Sequence, residues 1–169
     1  MKKILIILDK ALIVIQEWIL TFSCIEVTAI IVIASFMRYV LKKDLFGSEE
    51  IILVGAFWLY FMGSSLAARE DSHIAADFLG VLITNKKGKH ILSIIRNTLS
   101  VLLSIVMTIW TSQYVFRSIV LGPVTSALKI PQIYMQFPML ISFFLMTVYF
   151  FLLLWKSIGA FQRSHLEVE

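Results

Sequence analysis

Four long apolar runs, separated by short polar stretches that carry nearly all the charge, constrain this chain more than any other feature. A helix that crosses a bilayer needs about 20 mostly apolar residues. Hydrophobic residues make up 59% of the 169, and a small water-soluble fold cannot cover that much apolar surface. Lipid can. The pattern predicts an all-α integral membrane protein with four transmembrane helices in a single membrane domain over 1–169. The length leaves no room for a sizeable soluble domain, so any chemistry must sit within or between helices.

The first span is expected over roughly Ala11 to Val40, densest from Trp18 to Met37 and closed by Arg38, Lys42, Lys43 and Asp44. Met1-Lys2-Lys3 and the apolar residues after it resemble the start of a secretory signal. No small-x-small cleavage site follows, so the segment reads as the start of an uncleaved first helix. The second span is expected over Ile51 to Ala68. Ser48 is placed to cap it, and Glu49 and Glu50 fall in its first turn, where the helix dipole favours negative charge. Near its far end, Gly63/Ala67 and Ser64/Ala68 are small-xxx-small pairs that allow a neighbouring backbone to approach closely.

Between the second and third spans, about 72–84 is amphipathic. His73, Asp77, Gly80 and Thr84 recur on one side, and Ile74, Phe78, Leu79 and Leu82 on the other. The segment is too short to cross and predicts a short helix lying in the membrane interface. The third span is expected over Ile91 to Phe116. The loop after it is punctuated by Gly122-Pro123 and Pro131, and the fourth span is expected over Ile133 to Trp155.

Lys and Arg set the orientation. One side would hold Lys2, Lys3, Lys10, Arg69, Lys86, Lys87, Lys89, Arg96, Lys156 and Arg163, and the other Arg38, Lys42, Lys43, Arg117 and Lys129. The excess on the first side places both termini in the cytoplasm. The formal charge of +4 is therefore read as membrane topology. The basic residues are not interleaved with aromatic stacking platforms, so nucleic acid is not an expected partner and membrane lipid is.

Glu26 stands near the middle of the first span. A charge at a helix centre costs on the order of 3 kcal/mol on insertion scales, against about 0.3–0.6 kcal/mol returned by each apolar neighbour. The helix inserts, but Glu26 must face protein or water or be protonated. Two readings stand: a proton or substrate site, or a buried polar contact, with Arg96 on the third span as a candidate partner. His73 and Asp77, four apart, could offer two metal ligands, or form a polar stripe; two ligands do not make a metal site. The single Cys24 permits no intrachain disulfide. No Gly-rich phosphate loop, Gly-x-Ser-x-Gly elbow or His-Glu-x-x-His is present, so no enzyme and no cofactor in this chain is expected.

The ordered set Gly47-Ser48-Glu49-Glu50 … Trp58 … Gly63 … Ala67-Ala68-Arg69 … His73-Ile74 … Asp77, followed by Ser126-Ala127-Leu128-Lys129-Ile130-Pro131 and Tyr134, resembles the small membrane (Q) subunit of tripartite ATP-independent periplasmic (TRAP) transporters. The family often has an aromatic directly after that proline; here Gln132 and Ile133 come first.

The resemblance implies a bacterial inner-membrane subunit of a secondary importer of organic acids, carboxylates and sugar acids among them. A periplasmic binding protein captures the substrate. A large multi-span subunit moves it as an elevator, driven by a sodium or proton gradient. The small subunit braces the large one and helps dock the binding protein. On that expectation Glu26, Glu49, Glu50, Trp58, Gly63, Ala67, Arg69, His73, Asp77, Arg96, Lys129 and Pro131 serve partner or structural contacts. Lys42, Lys43, Arg117 and Lys129 would face the binding protein. The rival expectation is a self-contained four-helix proton-coupled exporter using Glu26, similar to the small multidrug resistance family, whose members are shorter with tighter loops.

Overall fold

The computed structural model describes residues 2–69 and 86–166. They form four helices: α1 (Lys2–Tyr39), α2 (Ser48–Arg69), α3 (Lys86–Leu121) and α4 (Ile133–Leu166). Each holds a stretch long and apolar enough to cross a bilayer: Asp9–Tyr39, Ser48–Arg69, Ile91–Leu121 and Ile133–Gly159. The chain is thus a multi-pass membrane protein whose described residues are helical apart from the connecting loops. The expected interfacial helix over about 72–84, with His73 and Asp77 on it, lies outside the described residues.

The helices outrun the apolar stretches that predict them. α1 begins at Lys2 rather than near Ala11, α3 at Lys86 rather than Ile91, and α4 continues past Trp155 to Leu166. Hydropathy marks only the part of a helix that lies in lipid. Lys, Arg and Gln are good helix formers, and backbone hydrogen bonding continues through them. What stops the helices is backbone geometry. α3 ends at Gly122, which has φ 58 and donates its N–H to the Ser118 carbonyl at 2.9 Å, and Pro123 follows. The chain leaves α1 through Lys42 in the left-handed region, φ 51.

α2 starts one residue earlier than its expected cap allows. The Gly47 carbonyl accepts from the Glu50 and Ile51 amides at 3.1 and 3.4 Å, so Gly47 occupies the cap position and Ser48 is already helical. Gly47 has φ 76, and a Cβ there would collide with the Leu128 side chain. Both facts demand glycine.

The helices form an open row. α1 packs on α2, α2 on α4, and α4 on α3, so α1 and α3 lie at the two edges. On α1 the half-buried or buried residues include Ile13, Gln16, Leu20, Ser23, Val27, Ile30, Ala34 and Met37, spaced alternately by three and four, with Ile19 and Glu26 beside them. That is the 3.5-residue repeat of a knobs-into-holes seam. The buried face of α2 is Ser48, Gly55, Met62, Ser65 and Ala68.

Most of these core residues are small or polar. Lipid tails are as apolar as leucine, so burying leucine gives helices no reason to associate; close packing and interhelical hydrogen bonds do. The Gln16 amide donates to Ser65 Oγ at 2.8 Å, Ser142 Oγ to the Phe61 carbonyl at 2.5 Å, and Asn97 to Ser157 Oγ at 2.8 Å. Thr108 and Thr147 hydroxyls meet at 3.1 Å. These bonds tie α1 to α2, α2 to α4, and α3 to α4.

Candidate partner interface

Among the described helices, α2 packs on both its predecessor α1 and the later α4. At the end that carries the α1–α2 and α3–α4 connections (the loop end), its first turn holds the α3–α4 loop. The Glu50 carboxylate accepts from Thr125 Oγ1 at 2.5 Å and from the Ala127 and Leu128 amides at 2.6 and 2.8 Å. The loop is a narrow hairpin. Thr125 N–H donates to the Ile130 carbonyl, Ile130 N–H returns to Thr125 Oγ1, and Val124 bridges Pro131 antiparallel. Lys129 sits at its tip with φ 58. Three donors remote in the chain therefore converge on one carboxylate, and bonds to an ionised acceptor are about twice as strong as neutral ones.

Further in, the Trp58 indole N–H donates to the Tyr134 carbonyl at 3.1 Å. The reason lies four residues along α4. Pro138 is fully buried inside that helix and has no N–H to offer the Tyr134 carbonyl. Trp58 supplies the missing donor from the neighbouring helix. At the opposite, terminal end, the Arg69 guanidinium makes a two-pronged contact with Asp9 at 2.6 and 3.2 Å, which clamps α2 to α1.

Two hollows flank the α1–α2 seam. One, of about 630 Å³, lies at the loop end between Arg38, Asp44, Glu49, Glu50 and Ser126. Arg38 and Asp44 pair across its rim at 3.0 Å, both well exposed. The other, of about 540 Å³, is lined by Trp18, Ile19, Phe22, Ser23, Glu26, Val54 and Trp58. It is mostly apolar, with polar atoms only on Ser23, Glu26 and the two indoles. Glu26 lies against Gly55, and a Cβ at that position would overlap its carboxylate and the Val27 side chain. Among the described residues Glu26 has no hydrogen bond and no ion pair.

Glu26 does not meet Arg96. Gly55 is close to Trp58, and Trp58 is level with Tyr134. Arg96 is next to Asn97, which bonds Ser157. Tyr134 and Ser157 are 23 residues apart on one helix, about 34 Å at 1.5 Å per residue. The Arg96 Nε donates to Asn97 Oδ1 at 3.3 Å. The two residues look like partners in the sequence because each interrupts an apolar run, but hydropathy carries no depth register.

Glu49 is exposed beside Glu50. At Gly63 a Cβ would make only ordinary contact with Leu20 at 3.6 Å, whereas at Gly55 it would overlap the Glu26 side chain. Ala67 is half-buried next to the fully buried Ala68. Lys42, Lys43, Arg117 and Lys129 are all exposed and all belong to the loop end. His73 and Asp77 are outside the described residues.

Gly55, Asp9, Thr125 and Pro138 are contributors that the sequence reading missed. Asp9 and Arg69 bracket two apolar runs on one side of the membrane, a matching signal that was present. Gly55 lies seven residues from Ser48 and seven from Met62, on the face that packs.

The family model for the DctQ component of tripartite ATP-independent periplasmic transporters matches residues 27–159. No curated protein matches the chain.

Proposed function

The chain belongs to the DctQ component family of tripartite ATP-independent periplasmic transporters, and on that premise we propose that it braces the large membrane subunit of an organic-acid importer and offers its loop end to the substrate-binding protein. Membership makes it a transporter's small membrane subunit and removes the self-contained exporter as the reading of its four helices. We further read it as an inner-membrane protein with both termini cytoplasmic, from the excess of Lys and Arg on that side. The transported substrate would be a carboxylate, and a sodium or proton gradient would drive its uptake through the large subunit.

The observation that carries the bracing role is the open row. α1 leans on α2 alone for its main contact, while Trp18, Phe22, Ile25, Val32 and Phe36 stay exposed along it. A brace needs broad apolar faces on both sides and stiff internal ties, and the ties at Glu50, Trp58 and Arg69 supply stiffness at three depths. The docking role is supported by four exposed cations, Lys42, Lys43, Arg117 and Lys129, at one end of the row. Two of them, Lys42 and Lys129, project from left-handed turn positions. An acidic face on the binding protein would meet them, and such contacts act mainly on encounter rate.

The test is uptake by the assembled transporter with Lys42, Lys43 and Lys129 reversed to Glu. Binding-protein-dependent uptake is expected to fall about tenfold, more at low salt than at high salt, with both membrane subunits still co-purifying. Unchanged uptake removes the docking role; loss of co-purification would show that the loop end holds the large subunit instead.

A further inference from the structure

The hollow around Glu26 calls for an occupant of a particular chemistry. Gly55 is seven residues inside the loop end of α2 and fourteen from Arg69, which puts Glu26 roughly 10 Å below one end of the span and 20 Å from the other. Both distances place the carboxyl group in the hydrocarbon region. It has no donor among the described residues, and the side facing away from Gly55 opens into the hollow between Trp18, Phe22 and Trp58. Trp18 and Phe22 are each 71% exposed. The family match begins at Val27, so Glu26 and this rim of α1 take no role from it.

Three kinds of occupant compete. Lipid tails fill an apolar groove but carry no donor, and headgroup donors sit at the interface. A second copy of this chain docked symmetrically on the same groove would bring two Glu26 carboxyls together, an arrangement like charges oppose. A helix of another membrane protein can bring a donor to the right depth. A buried carboxylate in lipid is tolerated when a cation or strong donor meets it. The open apolar walls suit the body of that helix, and Glu26 suits its one basic side chain.

We propose that this hollow seats a transmembrane helix of the large subunit, and that an arginine or lysine on that helix donates to Glu26. The proposal rests on the reading of the chain as that subunit's brace and adds the place and the chemistry of the contact. Glu26 is then a specificity element: an apolar helix could fill the groove, but only one carrying a cation at this depth satisfies it.

The experiment uses the two membrane subunits expressed together, with a benzophenone amino acid replacing Phe22 and Glu26 left intact. Illumination is expected to join this chain to the large subunit. In parallel, Glu26→Leu is expected to lower recovery of the large subunit about tenfold, because the facing cation is left buried and unpaired, and Glu26→Gln is expected to fall between. Adducts at position 22 with lipid or with a second copy of this chain, while the large subunit still co-purifies, overturn the proposal and leave the bracing role standing. Adducts with the large subunit but undiminished recovery with Glu26→Leu overturn the ion pair. A large subunit that never co-purifies with the unsubstituted chain defeats the bracing role itself.

Discussion

Glu50 and Glu26 are two carboxylates on neighbouring helices, and they differ in where their donors come from. Glu50 stands in the first turn of α2 and takes three bonds, from one hydroxyl and two backbone amides of the α3–α4 loop. Glu26 stands deeper, against Gly55, and the described residues offer it none. The first carboxylate is internal architecture: it replaces, for the loop, the hydrogen bonds that a sheet or helix would give. The second is met by no donor among the described residues. A charged group in hydrocarbon is costly when unmet, and the proposed helix of the large subunit would supply what it lacks.

The largest effect that would break this comparison is expected from Glu50→Ala. It orphans Thr125 Oγ1 and the Ala127 and Leu128 amides together, and it frees a loop whose own ladder is a single bridge, Val124 to Pro131. The melting temperature of the purified chain should fall further than for Trp58→Phe or Glu26→Gln, and the 122–132 loop should become sensitive to protease. Glu50→Gln should recover only a small part of the loss, since its amide nitrogen would point a donor at donors. A loop that stays protected in Glu50→Ala would show that the Thr125–Ile130 hairpin holds itself.

A second test sits deeper along α2. Trp58→Phe removes the indole donor that meets the Tyr134 carbonyl, at an expected cost of about 1–2 kcal/mol. Pro138→Ala restores a backbone N–H to that carbonyl. In the Pro138→Ala background, Trp58→Phe should therefore cost clearly less. The two changes form a double-mutant cycle read by thermal unfolding of the chain in detergent. Additive losses would mean that the indole acts by packing alone.

The four crossings were legible because the bilayer imposes a length and a polarity that a sequence displays directly. The family was also legible, and the structure brings together segments that carried the resemblance: Glu50 on the Thr125 hydroxyl and the Ala127 and Leu128 amides, Trp58 on the Tyr134 carbonyl. What could not be read was mutual depth. Glu26 and Arg96 each look like an interruption needing a partner, yet the levels they occupy are about 34 Å apart by helical rise. The need for glycine at position 55 is hidden for a related reason: small-xxx-small spacing picks out Gly63 and Ala67, while the demand at Gly55 comes from a side chain on another helix, the Glu26 carboxylate. Backbone acceptors are invisible too. Nothing in the residue types reveals that the Tyr134 carbonyl is free until Pro138 is seen inside the same helix.

The smallest expected effect is the sharpest test of the comparison. In the chain purified alone, Glu26→Gln should change stability by less than about 0.5 kcal/mol, the range of substitutions that touch no internal bond. The side chain keeps its shape against Gly55, and no donor within the described residues loses an acceptor. The same substitution at Glu50 should lower the melting temperature markedly, because donors of this chain converge there. Equal and substantial losses at the two positions would mean that Glu26 has an internal donor after all, and the groove would then be closed by this chain rather than by a partner. A neutral result alone, joined to weaker recovery of the large subunit in the complex, separates a carboxylate that holds the fold from one that holds an assembly.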